Sequence, residues 1–254
     1  MEVRAALFDL DDTLFDHRYC AREALAIVRA SHEGLSVIEA PALEALHAGI
    51  LEMLHLEVLA GRMELDASRV ERFPRLVREA GGEPDTALAT RMAAMYRQGY
   101  IDARRQVAGA EALLAALRPH ARIVVVSNNL LNEQRAKMRH CGLEPLVDVL
   151  VVSEEVGISK PDPAIFTVAL TRAGCRAEEA VMVGDSWRND VEGARAAGIR
   201  PVWFNPDRAP APDPSVQVIT ALEPVAEVVA AILGRDVSSP GLTGSTGRAT
   251  AGPR

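Results

Sequence analysis

Four aspartates lie in the stretch FDLDDTLFD, residues 8–16, which overlaps the end of the apolar run VRAALF. Asp9 and Asp11 are two positions apart, so on an extended chain their carboxylates point to the same side. Carboxylates that share a dry site repel one another and resist ionisation. One carboxylate can attack an electrophile, and a second one beside it can move a proton. The pair therefore predicts nucleophilic and acid–base chemistry at the end of a buried strand.

Polar side chains follow three further apolar runs. Ser127 and Asn128 come at the end of ARIVVVS, and Lys160 comes in a loop after VDVLVVS. Asp185 and Asp190 follow AVMVG. The carboxyl ends of parallel strands meet at one edge of an open sheet, where ligands bind. We therefore expect these five side chains to converge on the acidic pair.

The acids in this set predict a metal site. If Asp185 lies near Asp9 and Asp11, the repulsion among three carboxylates requires a cation. The set offers oxygen ligands and neither histidine nor cysteine, which favours Mg²⁺ over Zn²⁺. Such an ion would also screen the approach of a carboxylate to an anionic phosphate.

The whole set suits phosphoryl transfer. Asp9 can attack phosphorus, and Asp11 can donate a proton to the leaving oxygen and later accept one from water. Lys160 can offset charge on the nucleophile and on the transferring group. The Ser127 hydroxyl and the backbone N–H groups beside it, at Asn128, can bind phosphate oxygens.

The strands that position these residues come early and late in the chain. Near-continuous apolar runs predict strands at 3–8, 121–127, 147–153, 180–185 and 199–204. From about residue 19 to residue 105 the apolar residues recur at helical spacing instead. Strands alternate with helices after Gly109, which predicts an α/β fold, a doubly wound parallel sheet with helices on both faces.

This pattern divides the chain into a Rossmann-like core at 1–16 and 106–235 and a helical insert at 17–105. An insert of roughly ninety residues is too long for an ordinary loop, so we expect a small domain of its own. The stretch 236–254 consists largely of Gly, Ser, Thr and Pro. With so little to bury, we expect it to be a disordered tail.

Four motifs in this order resemble those of the haloacid dehalogenase-like (HAD) hydrolase superfamily. They are DLDDT at 9–13, VVVSNN at 124–129, SKPDP at 159–163 and GDSWRND at 184–190. Each motif alone is weak, but all four at strand ends and in the right order are specific. The last two look most like the branch with pyrimidine 5′-nucleotidases and N-acylneuraminate-9-phosphate phosphatases. The helical insert matches the family's mobile cap, which closes over the site and sets substrate choice.

The resemblance implies a role for each matched residue. It makes Asp9 the nucleophile and Asp11 the general acid/base, with Ser127 and Lys160 binding phosphate. Mg²⁺ would be held by Asp9 and Asp185 and by the backbone carbonyl of Asp11. Asp190 would support the metal site or the lysine.

The presence of Asp11 distinguishes two activities within the superfamily. True dehalogenases lack this second aspartate, because a halide leaves without a proton while an alkoxide needs one. The sequence therefore predicts a Mg²⁺-dependent phosphomonoester hydrolase that acts on a small phosphorylated metabolite. A phosphomutase of the same superfamily remains an alternative. A phospho-receiver-like switch protein is another, although such a protein would be much shorter and would lack the large insert.

Simpler interpretations exist for several of these residues. Ser127 and Asn128 could cap a helix, and Asp190 could do the same. A lysine such as Lys160 is most often solvated. Arg62 and Arg69 in the insert could meet a substrate anion, although a solvated helix face is the more usual place for such residues.

Composition narrows the class of protein. The chain has 254 residues and a formal net charge of −7, with no compensating basic stretch, which argues against a nucleic acid polymer as partner. Its three cysteines are far apart and fit a reducing compartment better than a disulfide framework. No run suits a signal peptide or a membrane helix. We expect a cytoplasmic protein, a monomer or a homodimer.

Overall fold

The computed structural model describes residues 2–235, so the predicted disordered tail at 236–254 lies outside the described residues. Six strands form one parallel sheet in the order β3-β2-β1-β4-β5-β6. The strands are β1 Ala5–Phe8, β2 Arg122–Ser127, β3 Val149–Val152, β4 Ala180–Gly184, β5 Arg200–Phe204 and β6 Gln217–Ile219. This is the strand order of a doubly wound sheet. β2 and β3 extend the sheet on one side of β1, and β4, β5 and β6 extend it on the other, so the order of addition reverses between β1 and β4. The predicted fold class is confirmed.

The central strands are buried on both faces, as their near-continuous apolar sequences predict. Every residue of β1 and of β4 is buried. Phe8, the last residue of β1, lies opposite Val125 on one side and Val183 on the other. The register therefore brings the polar segments that follow β1, β2 and β4 together at one edge of the sheet.

Five helices make up the insert between β1 and β2. They are α1 His17–Ala30, α2 Glu33–Ser36, α3 Ala40–Leu59, α4 Leu65–Glu79 and α5 Thr86–Asp102. The Asp16 carboxylate caps α1 by accepting the Tyr19 N–H at 3.2 Å, and Asp85 caps α5 in the same way. Their apolar faces pack together around residues such as Phe73 and Tyr96.

The helices of the core flank the sheet. They are α6 Ala110–Leu117, α7 Leu131–His140, α8 Ser153–Val156, α9 Pro163–Ala173, α10 Gly193–Ala196 and α11 Val225–Leu233. At the start of α9, the Asp162 side chain accepts the Ala164 N–H and Pro163 is the first helical residue. None of the helices within residues 2–235 is both long and apolar enough to cross a membrane.

Two elements differ from the sequence-based expectation. The three-residue strand β6 was not predicted, because so short a segment carries no periodic signal. The alternation of strands and helices predicts a helix after the strand at 180–185, and this helix begins as a π-helix, Trp187–Glu192. Ser186 starts this wider turn, since its carbonyl oxygen accepts N–H groups from both Asp190 and Val191. The turn directs the Asp190 side chain into the core.

The chain leaves the core and returns to it through two adjacent segments. Phe15 bridges to Gln106, the Asp16 N–H donates to the Arg105 carbonyl, and the Val107 N–H donates to the Leu14 carbonyl. The helical insert is thus joined to the core by a paired double connection beside the acidic motif.

Candidate active site

Lys160 lies between two buried aspartates. Its Nζ is 2.6 Å from Asp9 Oδ1 and 2.7 Å from Asp190 Oδ1. All three side chains are almost fully buried, so the ammonium group is the charge that balances both acids. The two carboxylates raise the pKa of Lys160 despite its burial, which keeps it cationic.

Asp185 completes an acidic cluster with Asp9 and Asp190. One carboxylate oxygen of each of the three lies within 4.8 Å of the others. Burial, together with the nearby negative charge of Asp190, raises the pKa of Asp185 to about 7. Burial likewise raises the pKa of Asp9 well above its usual value, against the opposing effect of Lys160. Three acids thus share the site with one buried lysine, and the exposed Arg18 also faces Asp185, with its Nη2 3.4 Å from Asp185 Oδ2.

Gly184 permits the close approach of Asp190 to the end of β4. A Cβ at Gly184 would overlap the Asp190 carboxylate, whose Oδ2 also accepts the Ser186 N–H at 3.0 Å. The absence of a side chain at Gly184 therefore allows Asp190 to reach Lys160.

Asp11 lies outside this cluster and is held by a separate set of donors. Its Oδ1 accepts a hydrogen bond from Lys137 Nζ at 2.6 Å, and its Oδ2 accepts from Asn129 Nδ2 at 3.0 Å and from Gln134 Nε2 at 2.9 Å. Burial alone would raise the pKa of Asp11, but the charges of Lys137 and His17 and these hydrogen bonds hold it well below its usual value. Asp11 is therefore an ionised carboxylate.

Ser127 and Asn128 meet the site in different ways. The Ser127 hydroxyl, buried at the end of β2, accepts a hydrogen bond from Gln134 Nε2 at 2.6 Å, which connects it to Asp11. The Asn128 amide pairs with the backbone of Lys160, since Nδ2 donates to its carbonyl at 2.8 Å and Oδ1 accepts its N–H at 2.7 Å. Asn128 thus fixes the loop that carries Lys160.

Sequence reasoning missed Gln134 and Lys137. Both are buried, at 0% and 4% exposure, although the helix α7 that carries them is otherwise polar. They are three residues apart and so share one face of the helix. A usable signal existed in the composition, because the chain has two lysines in all, Lys137 and Lys160.

Several contacts join the insert to the core near the site, among them an ion pair at 3.4 Å between Arg18 Nη2 and Asp185 Oδ2. His55 Nε2 lies 3.0 Å from the Asn128 carbonyl oxygen. Glu133 on α7 accepts from Arg69 at 2.8 Å and from Arg97 at 3.1 Å, both of which belong to the insert. The helix that holds Asp11 through two side chains thus contacts the insert through a third.

The family model for haloacid dehalogenase-like hydrolases matches residues 3–198, which include every site residue described above. The chain belongs to the haloacid dehalogenase-like hydrolase family. The resemblance that the four motifs indicated is confirmed.

Characterised relatives of this hydrolase include phosphatases. The chain is 33% identical to the ribulose-1,5-bisphosphate 5-phosphatase of Halopiger xanaduensis, over 80% of this chain and 84% of that protein. It is 34% identical to the phosphoserine phosphatase of Thermus thermophilus, over 80% of this chain and 89% of that protein. Relatives from the expected branch also match, namely a pyrimidine 5′-nucleotidase of Escherichia coli at 29% identity and the human N-acylneuraminate-9-phosphatase at 25%. The hydrolase is therefore an enzyme of the phosphatase type.

A solved structure of the same family supports the fold assignment. The HAD-hydrolase YfnB from Bacillus subtilis superposes with a TM-score of 0.72 at 27% identity, and the match covers 90% of this chain and 99% of that one. The crystal structure of that protein contains bound magnesium and is described as revealing interdomain movement.

The donor set of the HAD hydrolase fits a hard divalent cation. The three converging acids offer carboxylate oxygens, and no histidine or cysteine joins that cluster within the described chain. Lys160 already contacts Asp9 and Asp190, each through one oxygen, so Asp185 is the cluster's acid without a lysine partner. The Asp11 carboxylate is not part of the cluster, which leaves its backbone carbonyl as the ligand that the resemblance implies.

Proposed function

We propose that this hydrolase cleaves small phosphomonoesters through an aspartyl-phosphate on Asp9, with Mg²⁺ as cofactor. The observation that carries the proposal is the ion-paired cluster of Asp9, Lys160, Asp190 and Asp185, which lies beside Asp11 at the carboxyl edge of the sheet. A nucleophilic carboxylate, a fixed cation and an acid–base carboxylate are the groups that phosphoryl transfer requires.

Asp9 is the nucleophile in the first half of the reaction. One of its oxygens, Oδ1, is held by Lys160 at 2.6 Å, which leaves Oδ2 to attack phosphorus. The P–O bond to the leaving alcohol breaks as the Asp9–phosphorus bond forms. Asp11, which is ionised in the free protein, first takes up a proton from solvent and then donates it to the leaving oxygen. Lys160 stabilises the negative charge that gathers on the transferring group.

Asp11 is the base in the second half. Water attacks the phosphorus of the aspartyl-phosphate while Asp11 accepts its proton, which releases inorganic phosphate and regenerates Asp9. The ionised state in which Lys137 and Gln134 hold Asp11 suits this step. The Ser127 hydroxyl and the N–H group of Asn128 complete the set as phosphate ligands.

Asp9, Asp185 and the Asp11 carbonyl would hold Mg²⁺, and Asp190 would support the site through Lys160. When bound, Mg²⁺ supplies charge neutralisation for the phosphate oxygens. Its charge would also offset the burial and the mutual repulsion that raise the pKa values of Asp9 and Asp185.

The helical insert at 17–105 acts in this proposal as the cap that closes over the site and selects the substrate. His55 of the insert contacts the backbone of Asn128, and Arg69 and Arg97 contact Glu133 on α7. Closure would exclude water from the site until the alcohol has left.

The test is phosphate release from a panel of nucleoside monophosphates, sugar phosphates and an aryl phosphate. Purified protein is assayed with and without Mg²⁺, and Asp9→Asn serves as the variant without a nucleophile. Release that requires Mg²⁺ and vanishes in folded Asp9→Asn is the expected result. Absence of release from every ester by folded wild-type protein with Mg²⁺ would overturn the proposal.

A further inference from the structure

Arg72 lies on the side of the insert that faces the catalytic core. It is three residues after Arg69 on α4, so the two side chains share one face of that helix. Arg69 Nη2 is 2.8 Å from Glu133 Oε1 on α7, which orients this face towards the core. The residue after Glu133 is Gln134, which binds Asp11. Arg72 therefore lies at the boundary between the insert and the active site.

The Arg72 guanidinium lacks an anionic partner. Within residues 2–235 it forms no ion pair and no hydrogen bond, and its Nε is buried without a partner. The guanidinium makes a cation–π contact with the ring of Tyr96, whose centroid is 5.5 Å from Arg72 Cζ. Burial lowers the pKa of Arg72, and the charges of Arg69 and Arg97 add to the effect. Arg72 is half-buried, and a guanidinium whose Nε is shielded from water normally has an anionic partner, because an unpaired charge is costly to desolvate.

The surroundings of Arg72 carry surplus positive charge. Glu133 is shared among Arg69, Arg97 and Arg104, at 2.8, 3.1 and 3.9 Å. The other acid that pairs with Arg69 is Asp66, whose side chain is 91% exposed. One partly buried carboxylate, Glu133, is thus shared by three guanidinium groups, whereas Arg72 pairs with no acid within the described chain.

A row of aromatic and polar side chains connects Arg72 to Asp11. The ring of Tyr96 stacks on that of Tyr100 at 6.3 Å between centroids, and the Tyr100 hydroxyl lies 2.7 Å from His17 Nδ1. Both Asp11 and Arg72 are close enough to His17 to act on its pKa, which burial and Arg72 lower and Asp11 raises. This row of contacts thus leads from Arg72 through the insert to His17, beside Asp11.

We propose that Arg72 binds a second anionic group of the substrate, a phosphate or a carboxylate, while the ester phosphate is bound at Asp9. The inference rests on the proposed phosphatase function and names the substrate class for that site. A planar guanidinium matches either oxyanion with two parallel hydrogen bonds. Substrate binding would then supply the charge partner that the chain itself does not provide to Arg72.

The test compares matched substrates that differ in the second anion. Phosphoserine and phosphoethanolamine differ in a carboxylate, and ribulose 1,5-bisphosphate and ribulose 5-phosphate differ in a phosphate. kcat/KM is measured for all four with wild-type protein, Arg72→Met and Arg72→Lys. Arg78→Met, an exposed substitution on the same helix, is the matched control.

The expected result is a preference of about tenfold or more for the anion-bearing member of one pair, which identifies the anion as carboxylate or phosphate. Arg72→Met should remove this preference by raising KM for the anion-bearing member. kcat/KM for the other member should stay within about threefold of the wild-type value. The circular dichroism spectrum of the variant should match that of the wild type. Arg72→Lys should retain part of the preference, and Arg78→Met all of it.

Two other results overturn the inference, and they are distinguishable. Phosphate release without a preference in either pair, or an equal loss for both members in Arg72→Met and Arg72→Lys, overturns the role of Arg72 and leaves the phosphatase function intact. Absence of release from all four esters and from an aryl phosphate overturns the phosphatase function, and the inference with it.

Discussion

Lys137 Nζ lies 2.6 Å from Asp11 Oδ1, and this ion pair joins the core helix α7 to the acidic motif after β1. Lys137 is buried and also lies over the ring of Phe15, 5.2 Å from its centroid. The pair keeps Asp11 ionised in a place where burial alone would protonate it. The active site thus has three lysine–aspartate contacts, those of Lys160 with Asp9 and Asp190 and that of Lys137 with Asp11.

Replacement of Lys137 by Met should impair the second half of the reaction. Burial would then raise the pKa of Asp11, so that it no longer accepts a proton from water near neutral pH. The aspartyl-phosphate should accumulate, detectable by mass spectrometry of quenched protein, and the pH optimum should move upwards. Arg139→Met, an exposed substitution on the same helix, should behave as wild type. An unchanged pH profile without accumulation would contradict this role.

Replacement of Asp185 by Asn should weaken the binding of Mg²⁺ at the site. Asp185 is the acid of the cluster that Lys160 does not contact, so we expect it to contribute directly to Mg²⁺ binding. The Mg²⁺ concentration for half-maximal activity should rise by at least about tenfold. Asp213→Asn, a surface change, is the control. Equal Mg²⁺ dependence in Asp185→Asn and wild type would show that other groups hold the ion.

Replacement of Gly184 by Ala should disturb Asp190 and Lys160 together. The added Cβ would overlap the Asp190 carboxylate, so the free energy of unfolding should fall by about 1–3 kcal/mol and phosphatase activity should drop. Gly49 lies inside α3 with nothing within 4 Å of an added Cβ, so Gly49→Ala should stabilise the protein by about 0.5–1 kcal/mol. Urea denaturation measures both, and equal effects would contradict the steric argument.

His47 should make the protein less stable in mild acid. It is 2% exposed, and burial lowers its pKa to about 3 from a usual value of 6.5. Between these values the unfolded chain binds a proton at this position and the folded chain does not, so stability falls as pH falls from 6.5 towards 3. From pH 6.5 to pH 5 the contribution is about 2 kcal/mol.

Urea denaturation at the two pH values tests this prediction. The loss of stability between them should be smaller in His47→Gln than in wild type by about that amount. His140→Gln, an exposed substitution, should keep the wild-type dependence. An equal loss in wild type and His47→Gln would show that His47 is not the group responsible.

The sequence alone determined the class of fold and the ends of the strands that carry the chemistry. β1 and β4 are buried on both faces, so they had to be apolar almost throughout, and that requirement is visible in AALF and AVMVG. The acids and the lysine that follow such strands fall at one edge of a parallel sheet by topology, which is why the convergence of Asp9, Lys160 and Asp185 could be expected. The short strand β6 and the π-helix left no comparable pattern. β6 has only three residues, and the π-helix differs from an α-helix by a local change in hydrogen bonding at Ser186 that no apolar periodicity marks.

The tertiary structure decided which charges meet. Lys137 and Gln134 look like surface residues of a polar helix, and their burial against Asp11 follows from the packing of α7 on the sheet. Arg69 and Arg72 carry the same charge on the same helix face, yet one is paired with Glu133 and the other with no acid in the described chain. Pattern and composition record which residue types are present. The partner of a charge is set by three-dimensional proximity and desolvation, which a local sequence pattern does not encode.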